Sequence, residues 1–265
     1  MRKEKYAVIS VAFVLFLAWA NAPSEAAVVG KTIDYEHEGV KLQGYMAWDD
    51  ASDEKRPGIL VVHEWWGLND FARGRAEQLA KLGFVAFALD MYGKGKVTTH
   101  PEEASEWRTQ VAENIEKWRA RALAGLEVLK EDPRVDTSRL AAIGYCFGGS
   151  TVQHLAYAGA DIDAAVSFHG SLVPPPENAA SKVKAAILVC HGADDPTVPV
   201  EKAKEYIQEM GKTDLQWRMV VYGGAKHGFT NPDADKKSLP ALGYDKKADE
   251  ASWEEMKIFF DQELK

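Results

Sequence analysis

The stretch Leu140-Ala-Ala-Ile-Gly144-Tyr-Cys146-Phe-Gly148-Gly149-Ser150 carries the deciding pattern of this sequence. An apolar run of strand length ends at a turn, and small residues beyond the turn open a helix. The pattern predicts a sharp strand-to-helix reversal with Cys146 at its apex. Such a reversal holds its apex residue in a strained backbone position. Glycines two before and two after let strand and helix pass closely. The start of a helix also presents free backbone N–H groups, which favour a thiolate and can bind an oxyanion. The competing reading is a buried structural cysteine in a turn eased by glycine.

Working outward, short apolar runs recur at Gly58–His63, Phe84–Leu89, Leu140–Tyr145, Ala164–Phe168, Ala185–Cys190 and Arg218–Val221. Runs this short and this apolar suit strands buried on both faces of a parallel sheet. Lys31–Glu36 and Val40–Trp48 read as an opening antiparallel pair. Between the runs lie helical patterns. Trp107, Val111, Ile115, Trp118, Ala122, Leu126 and Leu129 recur at steps of three and four and predict one amphipathic face. Asn69 or Asp70 is placed to cap a helix that ends at Gly83, a further helix ends at Gly211, and Trp253 to Leu264 form a closing helix. The predicted fold is α/β, a mostly parallel central sheet with helices on both faces. Ligands in such sheets bind beyond the carboxyl ends of the strands, so the residues after each run matter most.

Two such ends carry reactive side chains. His191-Gly-Ala-Asp194-Asp195-Pro-Thr-Val-Pro199 offers a carboxylate, and Tyr222-Gly-Gly-Ala-Lys-His227-Gly-Phe229 presents one histidine in a Gly-rich loop. Nucleophile, acid and histidine follow one another along successive strands, the order of the α/β-hydrolase fold. In that arrangement His227 takes the thiol proton, and the acid fixes its tautomer and stabilises the imidazolium. Asp195, directly before Pro-Thr-Val-Pro, is favoured as the acid, with Asp194 as a turn residue. The earlier segment His63-Glu64-Trp65-Trp66-Gly67-Leu68-Asn69 follows the first parallel strand. Its position nominates the N–H of Trp65, with that of Phe147, as an oxyanion hole. Glu64 is placed to hold a resting thiol protonated, against the alternative of a salt-bridged acid at a strand end.

The first residues read differently. Arg2, Lys3 and Lys5 precede a 14-residue stretch, Ala7–Ala20, in which only Ser10 is polar, followed by small residues up to Ala27. This describes a secretory signal peptide over residues 1–26, cut after Ala26, and a single domain over 27–265. The alternative is an uncleaved anchor, although the stretch is short for a bilayer span. The expected location is secreted or periplasmic. Loss of three bases and two acids takes the net charge from −8 to −9. An acidic body without a Lys/Arg cluster argues against nucleic acid and anionic membrane surfaces. Cys146 and Cys190 are the only cysteines. Each ends an apolar run, so the reading is two free thiols rather than a disulfide.

In His63-Glu-Trp-Trp-Gly-Leu-Asn69, Asp90-Met-Tyr92, Gly144-Tyr-Cys-Phe-Gly-Gly149, Asp195-Pro-Thr-Val-Pro199 and His227-Gly-Phe229, the chain resembles the dienelactone hydrolase (carboxymethylenebutenolidase) family. The resemblance runs from about Lys31 to the end. It implies a Cys146–Asp195–His227 triad, a Glu64 carboxylate touching the resting thiol, hydrolysis of a small ester or lactone, and no metal or organic cofactor. The arginines that grip the substrate carboxylate in familiar members fall near Lys94 and Asn231. Lys94 keeps the charge without the bidentate fork, and Asn231 loses it. Trp66 and His169, with Trp65, are further candidates to line a substrate pocket. Other activities open to the same triad are short-chain esterase, thioesterase or acyltransferase. An exported binding protein that retains the fold without the chemistry is the non-enzymatic alternative.

Overall fold

The computed structural model describes residues 27–51 and 53–265; the expected signal segment, residues 1–26, lies outside them. Eight strands are β1 (Val28–His37), β2 (Val40–Asp49), β3 (Arg56–Val62), β4 (Val85–Leu89), β5 (Val135–Tyr145), β6 (Ala164–Phe168), β7 (Ala186–Gly192) and β8 (Trp217–Tyr222). They form one sheet in the order β1-β2-β4-β3-β5-β6-β7-β8. β1 and β2 pair antiparallel, β2 meets β4 antiparallel, and every pair from β4 to β8 is parallel. Six α-helices accompany them: α1 (Asp70–Lys81), α2 (Pro101–Ala112), α3 (Ile115–Lys130), α4 (Phe147–Tyr157), α5 (Val200–Met210) and α6 (Lys246–Glu263).

The central strands are apolar throughout because both faces are covered. Side chains alternate between two cores, as the two-residue period of a strand requires. Leu60, Val62, Phe87, Leu89, Ile187 and Val189 point to one side, where Trp118, Leu126, Val152 and Tyr206 of α3, α4 and α5 close over them. Ile59, Val61, Ala86, Ile143 and Leu188 point to the other, covered by Ala72 and Leu79 of α1 and by Met256, Phe259 and Phe260 of α6.

The single amphipathic face expected from Trp107 to Leu129 is divided into two helices. Asn114 adopts extended backbone (φ −128°, ψ 110°), and its side chain accepts hydrogen bonds from the N–H groups of Glu116 and Lys117. A capping asparagine satisfies the free donors of a new helix start, and this outweighs the continuity of the apolar stripe. α2 buries only Ala104 fully. Trp107, Val111 and Ala112 pack half-buried against the core, and most of the rest of the helix faces outward.

β5 passes into α4 through Cys146, whose φ of 53° and ψ of −113° place it in the left-handed half of conformational space. Two glycines make the reversal fit. A Cβ on Gly144 would stand 2.0 Å from the Gly148 carbonyl oxygen, and one on Gly148 would stand 2.2 Å from that of Val62 on β3. Both collisions are with backbone, which cannot swing aside. Gly148→Ala is accordingly expected to lower the melting temperature by about 5–10 °C, measured by circular dichroism, from an overpacking cost of about 2–3 kcal/mol. Gly74→Ala on α1 is the control. No atom lies within 4 Å of its added Cβ. The better helix former is expected to raise the melting temperature by about 1–4 °C.

Candidate active site

The sheet's carboxyl edge brings together the ends of β3, β5, β7 and β8. His227, from the loop after β8, and Asp195, from the loop after β7, meet with Nδ1 and Oδ2 2.7 Å apart. Asp195 is buried, and its other oxygen accepts three hydrogen bonds: from the Thr197 N–H (2.8 Å), the Thr197 hydroxyl (2.7 Å) and the Val198 N–H (3.1 Å). Burial alone raises this carboxyl's pKa. The bonds from His227 and Thr197 outweigh it and hold the group below the usual carboxylate range. Asp194 is exposed and bonds the chain through its backbone, so the geometry selects Asp195 as the partner of His227.

Burial disfavours the imidazolium of His227, but the Cys146 sulfur and the Asp195 carboxylate on either side raise its pKa well above the ordinary histidine value. Asp195 fills Nδ1, which leaves Nε2 for the thiol. Cys190, the other thiol, is fully buried at the end of β7, where burial pushes it up to about 12. Both cysteines are free.

Phe147 is the first residue of α4, so its N–H has no acceptor within the helix. The N–H of Trp65 likewise meets no backbone acceptor among the described residues. Its direction is set by His63, which the sequence reading left without a role. His63 Nε2 accepts the Met91 N–H at 3.2 Å, so Nδ1 carries the proton and donates to the Glu64 carbonyl at 2.5 Å. That carbonyl and the Trp65 N–H belong to one planar peptide. Fixing the oxygen aims the N–H the opposite way.

Glu64 is buried, which raises its pKa, and Oε2 accepts a 2.5 Å hydrogen bond from the Asn231 side-chain amide. Among the described residues no hydrogen bond joins Glu64 to Cys146. The expected contact with the resting thiol is replaced by Asn231.

Cys146 and His227 line a cavity of about 660 Å³. Trp65, Trp118 and Phe147 form its aromatic wall, with the last two rings stacked at 5.1 Å and 9°. Leu239 and Leu242 form an aliphatic wall, and Arg108 of α2 contributes a cation. Of the residues nominated for substrate binding, Trp65 is in this lining, while Lys94, Trp66 and His169 are not. Lys94 pairs with the exposed Asp34 at 2.7 Å on the surface. Trp66 is buried beneath Lys237, and His169 is fully buried with both ring nitrogens engaged. Arg108 was missed because an arginine on a helix reads as solvated surface. Only the break at Asn114 would have shown that α2 stands apart.

The family model described as "Dienelactone hydrolase family" matches residues 42–264. Protein usf of Aquifex pyrophilus is 30% identical over 222 residues, covering 82% of this chain and 94% of its own. A protein of Aquifex aeolicus that bears the carboxymethylenebutenolidase name is 28% identical over 242 residues, covering 89% and 100%. Among solved structures, the dienelactone hydrolase-like promiscuous phosphotriesterase P91 from metagenomic libraries is 38% identical. It superposes with a TM-score of 0.86 over 90% of this chain and 100% of its own. With the family model spanning nearly the whole described sheet and its helices, this chain belongs to the dienelactone hydrolase family and is a carboxylic ester hydrolase of the α/β-hydrolase fold.

Proposed function

We propose that the chain hydrolyses activated carboxylic esters or lactones through a Cys146–His227–Asp195 triad and a thioester acyl-enzyme. The carrying observation is that Cys146, at the left-handed apex between β5 and α4, shares one cavity with His227, which Asp195 holds at 2.7 Å. His227 takes the thiol proton, and the thiolate attacks the carbonyl carbon. The N–H groups of Phe147 and Trp65 receive the oxyanion, each worth about 3–4 kcal/mol in comparable sites. The alkoxide or enolate leaves with the proton from His227. Water, deprotonated by the same imidazole, then cleaves the thioester and releases the acid. A thiolate is a good leaving group, so tetrahedral intermediates revert unless the departing oxygen is itself a good one. This favours aryl esters and enol-lactones over amides. Glu64, held by Asn231, sets a buried carboxyl beside His227.

Hydrolysis of p-nitrophenyl acetate by the purified protein is expected to fall at least about 10³-fold in Cys146→Ala with the melting temperature little changed. Equal rates in the two proteins would overturn the assignment. The aromatic wall and Arg108 favour a planar apolar ester that carries an anionic group. Arg108→Ala is expected to raise KM for a carboxylate-bearing aryl ester about three- to tenfold and to leave the neutral analogue unchanged. The apolar walls also suit a neutral aryl phosphotriester as a side substrate, in line with the P91 relative.

We propose in addition that residues 1–26 direct export and are removed. The basic start and the apolar run support this reading, and β1 begins at Val28, just beyond the expected cut. Amino-terminal sequencing of the protein from an exporting bacterial host is expected to begin at Ala27; an intact Met1 would refute cleavage.

A further inference from the structure

His169 has neither the exposure nor the position of a substrate-binding residue, yet it is a buried histidine packed beside the reactive pair. Its ring centroid lies 5.3 Å from that of His227. Its Nδ1 lies 3.1 Å from the Cys146 backbone nitrogen, which is also 3.0 Å from the Phe168 carbonyl oxygen. The Cys146 N–H is therefore shared between two acceptors, one of them a side chain. Because Nδ1 accepts, the ring proton resides on Nε2, which donates to the Thr230 hydroxyl at 2.7 Å. The Thr230 carbonyl in turn accepts from Arg75 at 2.7 Å. Arg75 is paired with Asp249 and faced by the rings of Phe71, Tyr145 and Trp253. An anchored chain thus runs from α6 through α1 to the nucleophile's own peptide.

The backbone at both ends of this hydrogen bond is unusual. Cys146 (φ 53°) and His169 (φ 40°) are two of the four non-glycine residues with positive φ among the described residues. Side chains other than glycine avoid this region, so its occupation requires surrounding structure that enforces it. Here the two strained residues hold each other. We propose that His169 is a positioning residue for the nucleophile: its Nδ1 retains the Cys146 N–H and so keeps the left-handed turn that aims the sulfur at His227. The inference rests on Cys146 being the nucleophile. Only a neutral ring can do this. Burial, reinforced by the neighbouring His227, keeps the His169 pKa well below the ordinary value. A charged His169 would lose its acceptor and set a second cation beside the His227 imidazolium.

The test compares the wild type with His169→Phe, which keeps a ring and loses the acceptor, and His169→Asn, whose amide oxygen can take the place of Nδ1. Two readouts are used: p-nitrophenyl acetate turnover and the pH profile of Cys146 alkylation by iodoacetamide, which needs no substrate site. His169→Phe is expected to lower kcat about 10–100-fold with KM within about twofold. It should slow alkylation at neutral pH and move its profile, with a melting temperature within a few degrees. His169→Asn is expected to restore most of both. Unchanged turnover and alkylation in His169→Phe would overturn the proposal. So would a loss in His169→Asn as deep as in His169→Phe, or a loss that follows only the unfolded fraction. If the wild-type thiol alkylates but hydrolyses no ester, the proposed function fails, and the alkylation profiles alone still decide the role of His169.

Discussion

Three backbones crowd together where β5 turns into α4: the strand itself, the first turn of the helix and the end of β3. The Gly148 Cα approaches the Val62 carbonyl so closely that no side chain fits between them. This one contact fixes how far α4 lies over the sheet. It therefore sets where the Phe147 N–H points and how far the Cys146 sulfur stands from the loop that follows β8. The reactive geometry follows from steric exclusion before any charge is considered. The charges then act on groups that have almost no freedom to rearrange, which is what makes electrostatic preorganisation effective.

The short segment from His227 to Asn231 shows how much a single loop can hold. Its first residue shares a proton with Asp195, Thr230 reaches His169 and Arg75, and Asn231 holds Glu64. Each bond fixes a different part of the site: the proposed base, the peptide of the proposed nucleophile and a buried acid. The Arg75–Asp249 pair anchors the segment from behind, between α1 and α6. Removing one partner of such a pair leaves an uncompensated buried charge, so the anchor is far costlier to break than a surface ion pair.

Much of this was legible in the sequence because the signals were local and chemical. Burial on both faces of β3 to β7 requires unbroken apolar runs, and the runs were visible. The glycine spacing around Cys146 announced the sharp strand-to-helix turn, and the loops after β7 and β8 announced the meeting of Asp195 with His227. Asp195 and Asp194 were separated by burial, which neighbours in sequence do not reveal. What failed depended on distance. Lys94 looked like a substrate cation by alignment, but a nearby surface acid, Asp34, claims it. His169 looked like a pocket aromatic, and its partner turned out to be a backbone N–H that no side-chain pattern encodes. The one-helix reading from Trp107 to Leu129 followed the apolar stripe past Asn114, although asparagine is among the strongest helix caps.

The division of that helix has a consequence for how the molecule can change over evolutionary time. α2 commits a single residue, Ala104, fully to the interior, yet it presents Arg108 to the cavity. Trp107, Val111 and Ala112 tie the helix to the core beneath it, so changes at Arg108 and its exposed neighbours are the ones that leave the two cores and the reversal at Cys146 in place. The aromatic wall, Trp118 and Phe147, is core and cavity at once, whereas Arg108 belongs to the cavity alone. A lineage can therefore vary the charge at the cavity mouth at little cost in stability, while its aromatic wall stays bound to the packing of the fold.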